Sequence, residues 1–348
     1  MEAIKALVKY APGPGKVELR EVAEPSPGPN QVKIQVKAAG ICGSDLHIYH
    51  GDIKLALEPP VIMGHEFSGV IAEVGEGVSN LEVGTRVTSE TAMHFCGRCP
   101  MCRTGRYNVC PEKKLLGYVF DGCFAPYCVV NRELVHPLPD NVDFIAGALS
   151  EPLACCVHAA MELTHIVAGD TVLITGPGAI GLISMQLAKA CGGYVVVCGL
   201  PQDEDRLSIA SELGADSILM VGQDDLERAV SLLTDGQGAD IFLECSGAPP
   251  AARLGLSLTR RGGQYTQIGL FGRPFELDFE TIAYKELRVT GSLGQRWTAW
   301  RRGLTLMSRG QVLTKPLVTH ILPLEKWQEG FRLFEEKRAL KVILEPGN

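Results

Sequence analysis

The stretch TVLITGPGAIGLISMQLAKACGGYVVVC, Thr171 to Cys198, leaves little choice of local fold. Val172 to Ile174 is a short apolar run, which predicts a buried strand. Gly176, Gly178 and Gly181 then form G-x-G-x-x-G, and Ile180, Leu182, Ile183, Leu187 and Ala188 follow with helical period. Val195 to Cys198 predicts the second strand of a βαβ unit. In that context the motif binds a dinucleotide. Gly176 permits the tight turn, Gly178 admits the pyrophosphate to the backbone, and Gly181 lets helix and strand pack closely. The helix start at Ala179 and Ile180 turns its free N–H groups toward the phosphates.

One expected residue is missing. The second strand of such a unit usually ends in an acid that binds the adenosine ribose hydroxyls. Here Gly199 stands there, followed by Leu200 and Pro201. Glycine directs no repulsion at a 2′-phosphate, which admits NADP. Yet Asp203, Glu204 and Asp205 precede Arg206, the first cation available to bind one. Both nucleotides stay open, with NAD ahead.

Strand and helix patterns keep alternating through ADIFLECSG, PPAARLGLSL and GGQYTQIGLFG. That rhythm predicts a doubly wound α/β domain over residues 155–290. The first part, residues 1–154, differs. QVKIQVKAAG alternates Val32, Ile34 and Val36, and SGVIAEVG and GTRVTS are strand-like and glycine-rich. These predict an antiparallel, barrel-like β domain. Residues 291–348 return to mixed strand and helix without a nucleotide motif and are expected to rejoin the first domain. At about 150 residues per domain, a chain of 348 residues suits this two-domain division.

Within the first domain, CGRCPMCRTGRYNVC places Cys96, Cys99, Cys102 and Cys110 in the spacing C-x2-C-x2-C-x7-C. Two intervening residues let two sulfurs reach one ion across a tight turn, and Pro100 and Pro111 favour a loop over a long helix. Four thiolates around tetrahedral Zn2+ leave no open position, so this ion would be structural, in a lobe over about residues 94–112. An iron–sulfur cluster and a redox thiol set are the rival readings. A second constellation lies upstream. GICGSDLH holds Cys42, Ser44, Asp45 and His47, and MGHEF holds His65 and Glu66. Taken singly, such residues are more often core or solvated. Gly40, Gly43 and Gly64 beside them mark sharp turns that aim side chains, and a Cys–His–carboxylate set leaves room on a metal for water or substrate.

Composition excludes several partners. The net charge is −7 and no basic tract stands out, so no nucleic acid is expected. No window of eighteen apolar residues occurs, so no membrane is expected either. MEAIKALVKY has no long apolar core, and the 12 cysteines are then expected to be reduced, in the cytoplasm.

Together these motifs carry a resemblance over nearly the whole chain. GHEFSGVIAEVGEGV, Gly64 to Val78, is similar to the zinc alcohol dehydrogenase signature G-H-E-x2-G-x5-G-x2-V. CGSDLH, the four-cysteine lobe, SEPLACCVHAA and GPGAIG occur in the family's order. The chain resembles a zinc-dependent medium-chain dehydrogenase/reductase, most closely the sorbitol (polyol) branch. The resemblance implies a GroES-like β-barrel catalytic domain and a doubly wound Rossmann domain that binds NAD(P). It implies two Zn2+ per subunit, one catalytic and one structural. It makes Cys42, His65 and Glu66 ligands of the catalytic zinc, with Glu151 ligating or holding its water. Ser44 and His47 match the proton relay, and Cys96, Cys99, Cys102 and Cys110 the structural site.

The implied reaction moves a hydride between a secondary alcohol, a polyol or sugar alcohol, and NAD(P), giving the ketone. An alkoxide is a far better hydride donor than an alcohol, and Zn2+ lowers the pKa of bound water from about 15.7 to ~7. Ser44 and His47 would carry the proton to solvent. Threonine 3-dehydrogenase and aldose dehydrogenase are neighbouring alternatives, and a silent nucleotide- and zinc-binding protein is the alternative from another class. A homotetramer is expected, with a dimer as alternative. One departure bears on substrate. An arginine–aromatic pair is expected after RVTGS, but Gly294 stands at the arginine place, with Gln295 or Arg296 as substitutes. Trp297 and Trp300 are candidates for a substrate wall, or, for Trp300, for packing against the following helix.

Overall fold

The computed structural model describes residues 2–347. They divide into two compact units. The first comprises Met1–Pro152, Gln295–Ser308 and Thr314–Asn348, and the second Leu153–Gly294 and Arg309–Leu313.

In the first unit, the strand Gln31–Gly40 buries Val32, Ile34, Val36 and Ala38 at every second position. A period of two puts those side chains on one face, against Phe67, Leu116 and Phe124 of the core. This strand organises a seven-stranded sheet in the order Val318–Pro323, Lys341–Glu345, Gln31–Gly40, Glu66–Val74, Arg86–Ser89 and Val135–Pro137. Tyr127–Asn131 also pairs with Gln31–Gly40. All pairings are antiparallel except Val318–Pro323 with Lys341–Glu345. A parallel pair needs a crossover, and the helix Trp327–Glu335 supplies it. The register places Gly40 opposite Glu66 on one side and opposite Ile343 on the other. Three strand ends therefore meet where the first strand runs out toward Cys42.

The second unit is a six-stranded parallel sheet in the order Ser217–Met220, Tyr194–Gly199, Thr171–Thr175, Ala239–Glu244, Thr259–Gln267 and Arg288–Gly291. Every residue of Thr171–Thr175 is buried, as a central strand covered on both faces requires. Strand order reverses between Thr171–Thr175 and Ala239–Glu244, the switch point at which doubly wound sheets bind ligands. The glycine turn sits there. Gly176 has φ +86°, and a Cβ on it would lie 2.7 Å from Ser246 Cα. A Cβ on Gly181 would lie 2.0 Å from the Gly176 carbonyl oxygen, so the helix Ala179–Ala190 reaches the strand only because residue 181 has none.

The returning segment is not uniform. Arg309–Leu313 goes with the second unit, although the expectation assigned all of 291–348 to the first. The physical reason is a side chain within the parallel domain. Gln186 Nε2 donates to the Leu313 carbonyl at 3.1 Å, and Leu313 N–H donates back to Gln186 Oε1 at 2.7 Å. The other divisions fall at 152/153 and 294/295, two and four residues from those expected. No helix among the described residues is long and apolar enough to cross a membrane.

Gly181→Val tests the close approach. A side chain at a contact of 2.0 Å must push helix from strand, and overpacking of this kind costs about 1–3 kcal/mol. We expect a lower urea midpoint and weaker nicotinamide nucleotide binding by fluorescence titration. Unchanged binding would show that the phosphate turn does not depend on this packing.

Candidate active site

The mixed constellation is brought together. Cys42 Sγ, a ring nitrogen of His65 and a carboxylate oxygen of Glu66 lie within 4.8 Å of one another. Cys42 is half-buried, while His65 and Glu66 are 6% and 1% exposed. Cys42 caps the helix Gly43–His50, and Asp45 in its first turn accepts the Cys42 backbone N–H at 2.8 Å through Oδ2. The other oxygen of Asp45 stands 3.6 Å from His65 Nδ1. One fully buried carboxylate thus fixes the backbone of one candidate ligand by a hydrogen bond and faces the ring of another at a distance too long for one. Asp45 lies in the motif read from the sequence, where it received no role.

The electrostatics favour a cation. Burial alone pulls the His65 pKa down, but Asp45, Cys42 and Glu151 outweigh it and push it up to about 10. Burial raises Asp45 to about 6, against the opposing pull of His65. A ring surrounded by this much negative charge holds either a proton or a metal ion. Glu66 pairs with Lys341, itself 3% exposed, whose Nζ also donates to the Ile41 carbonyl at 2.9 Å. Burial works against the Lys341 ammonium, yet Glu66, Cys42 and Glu151 hold its pKa above the ordinary value. A Cβ on Gly40 would fall 2.4 Å from Glu66 Oε2, so glycine makes room for the carboxylate.

Glu151, in the first turn of the helix Ser150–Val157, is 8% exposed and acts on both His65 and Lys341, but it lies outside the tight three-residue set. Ser44 and His47 are one turn apart on the helix Gly43–His50. Ser44 Oγ is buried, whereas His47 is exposed and its Nδ1 stands 2.9 Å from Asp52. Tyr118 was not singled out from the sequence. Its ring packs 5.6 Å from that of His65, and burial, with Cys42 and Asp45, raises its hydroxyl well above the usual pKa.

The four-cysteine lobe is equally compact. Its sulfurs lie within 4.8 Å of one another, with Cys96 and Cys102 at 3.9 Å and Cys96 and Cys110 at 3.6 Å. A tetrahedron with Zn–S bonds of about 2.3 Å has edges of about 3.8 Å, so these thiols fit one ion rather than a many-iron cluster. The Cys99 and Cys102 N–H groups donate to the sulfurs of Cys96 and Cys99, each at 3.4 Å. Backbone donors hold the Cys96 thiol down at about 7, whereas burial and the neighbouring thiols push Cys102 up to about 12. Among the described residues these are the two groups suited to a metal.

In the second unit, Gly176, Gly178, Ala179, Ile180 and Gly181 form the turn and helix start at the switch point. Gly199 ends its strand, and a Cβ there would meet Pro177 Cγ at 3.0 Å and Leu207 Cδ2 at 3.1 Å. Arg206 is 3.8 Å from Asp203, whose other oxygen accepts the Leu200 N–H at 3.1 Å.

The family is decided by comparison. Residues 28–140 match the alcohol dehydrogenase GroES-like domain, and residues 179–309 the zinc-binding dehydrogenase domain. The chain belongs to the zinc-dependent medium-chain dehydrogenase/reductase family. It is 46% identical to sorbitol dehydrogenase of Halalkalibacterium halodurans, over 99% of both chains. It is 39% identical to D-arabitol-phosphate dehydrogenase of Enterococcus avium, over 99% of this chain and 98% of that one. It is also 39% identical to L-threonine 3-dehydrogenase of Pyrococcus furiosus, over 98% of each. A Sinorhizobium meliloti chain solved bound to NADP superposes with a TM-score of 0.92 at 32% identity, covering 99% of this chain and 100% of that one. The chain is thus a dehydrogenase of the GroES-like plus Rossmann architecture, with zinc and a nicotinamide nucleotide as its cofactors.

The ion pair of this dehydrogenase gives a direct test. Lys341→Met leaves Glu66 buried without its cation, and breaking a buried pair costs about 3–5 kcal/mol. The urea midpoint of the variant is expected to fall accordingly and to recover in part when Glu66→Gln is added. Equal midpoints for wild type and Lys341→Met would mean that the pair contributes nothing to the fold.

Proposed function

We propose that this dehydrogenase oxidises a secondary hydroxyl of a polyol to the ketone, with NAD as the preferred acceptor and two zinc ions per chain. The carrying observation is the convergence of Cys42, His65 and Glu66 within 4.8 Å, in a chain 46% identical to a sorbitol dehydrogenase. Bound there, zinc supplies a Lewis acid that makes a substrate hydroxyl more acidic. Cys42, His65 and Glu66 would hold it, and the four-cysteine lobe would hold the second ion.

The chain's own residues do the rest. Ser44 takes the proton that the alcohol loses and His47, one turn on, passes it to solvent; the buried Oγ and the exposed ring suit those ends of the path. Glu151, close enough to act on His65, holds a water or a hydroxyl beside the metal. Asp45 sets the negative charge at the His65 ring, and Lys341 offsets the charge of Glu66. The turn at Gly176, Gly178, Ala179, Ile180 and Gly181 receives the pyrophosphate.

Acidic residues around the start of the helix Glu204–Glu212 support NAD over NADP. Arg206, the cation a 2′-phosphate would need, faces Asp203 instead. The twelve free cysteines among the described residues suit the reducing cytoplasm. Val289 and Leu293, both exposed at the edge strand Arg288–Gly291 and just beyond it, suit self-association, which we propose as a homotetramer with a dimer as alternative.

The decisive assay is nicotinamide absorbance against polyols, polyol phosphates, aldoses and threonine, with metal content measured in parallel. Polyol turnover that vanishes in Cys42→Ser, with one of two zinc ions lost, is expected. Turnover of threonine or an aldose alone would move the substrate to the alternative branch. Silence with both nucleotide and metal bound would leave a binding protein.

Nucleotide choice has its own test. Asp203→Asn removes a negative charge beside Arg206, so kcat/KM with NADP should rise relative to NAD, by about tenfold for one charge-assisted contact of about 1.5 kcal/mol. An unchanged ratio would remove these two residues from the specificity.

A further inference from the structure

The segment that departs from the polyol pattern, Gln295 to Trp300, is clamped to the four-cysteine lobe. Tyr107 lies within the lobe, and its ring stacks on Phe95, beside Cys96, with centroids 4.8 Å apart. The Tyr107 hydroxyl donates to Glu90 Oε2 at 2.6 Å and accepts the Trp297 N–H at 2.6 Å. Trp297 opens the helix Trp297–Ser308. Glu90, 2% exposed, also binds His136 Nε2 at 3.0 Å, and the His136 ring stacks parallel to Trp300 at 5.2 Å. Trp300 is therefore a packing residue. One buried carboxylate holds the lobe, a core strand and the first turn of this helix together.

The clamp continues toward the metal site. Gln295 Nε2 donates to Thr91 Oγ1 at 3.0 Å, and the Thr91 carbonyl accepts the Leu116 N–H at 2.9 Å. Two residues on, Tyr118 packs against the His65 ring. All of these residues lie in the first unit.

We infer that Tyr107 is a positioning residue: through Glu90, Trp297 and Gln295 it transmits the state of the four-cysteine lobe to the loop that seats Tyr118 on His65. The lobe then sets how well substrate is held, beyond stabilising the fold. A carboxylate acceptor and a backbone donor on a single hydroxyl make the link directional, and Phe at 107 would remove both bonds while keeping the stacked ring. The inference uses the proposed polyol reaction for one of its two readouts only.

The test is a double-mutant cycle of Tyr107→Phe and Cys102→Ser in a Trp327→Phe background, where emission reports Trp297 and Trp300 alone. Each single variant should red-shift the emission and raise the polyol KM about tenfold, with kcat within about twofold. The double variant should be no worse than the more affected single one, the mark of two residues acting through one link. Additive effects would overturn the inference. So would a Tyr107→Phe protein with wild-type emission and KM. If Cys102→Ser does not fold, Tyr107→Phe alone decides, with nucleotide affinity as its check on folding. If the wild type turns over no polyol, the emission arm still decides the link, and only the substrate reading falls.

Discussion

A buried ammonium against a buried carboxylate governs the catalytic half of this molecule. Lys341 and Glu66 come from the last strand and from the strand that follows His65, and both are almost wholly out of water. Charges so placed are costly unless paired and hydrogen-bonded. Their pairing therefore requires that Lys341–Glu345, Gln31–Gly40 and Glu66–Val74 align in a single register. A slip of one residue would turn each side chain to the opposite face and leave both charges stranded. Gly40, between them, is the one residue in the row with no side chain to exclude the carboxylate. The constraint that assembles the sheet is thus the one that aims Glu66 at Cys42 and His65.

The nucleotide-binding half rests on steric room instead of charge. Its central strand is buried throughout around the apolar residues 172–174, and its turn works because backbone meets backbone where a Cβ would not fit. Such a site is built from neighbours in sequence. The metal site is built from strand ends and loops far apart in the chain, and it depends on registers that only the completed sheet supplies.

That difference explains what could be read from the sequence. The βαβ unit was legible because its period, turn and helix are local, and the doubly wound order follows from the same rhythm. Both thiol- and histidine-bearing clusters were legible as spacings or short motifs. Asp45 sat in plain view, but its approach to His65 depends on how two separate segments meet. Lys341 appears in sequence as the start of an apolar run, KVIL, with no sign that its ammonium faces inward. Tyr118, Glu90 and Tyr107 carry no motif, since each acquires its role through partners distant along the chain. The misplaced Arg309–Leu313 has the same origin, a side-chain amide reaching across more than a hundred residues of sequence.

Charge balance joins the ion pair to the proposed chemistry. Cys42, Glu66, Glu151 and Asp45 are the negative groups acting at His65 and Lys341, and Lys341 is the buried cation among them. A divalent ion held there would, together with Lys341, offset most of that negative charge. Without the lysine the ligand set would bind a cation more tightly but would make it a weaker Lewis acid, because each added negative charge lowers the pull of the ion on a substrate oxygen. The buried ammonium therefore does two things at once. It makes the sheet register worth keeping, and in the proposed reaction it would leave an ion held by Cys42, His65 and Glu66 more electrophilic toward a substrate oxygen.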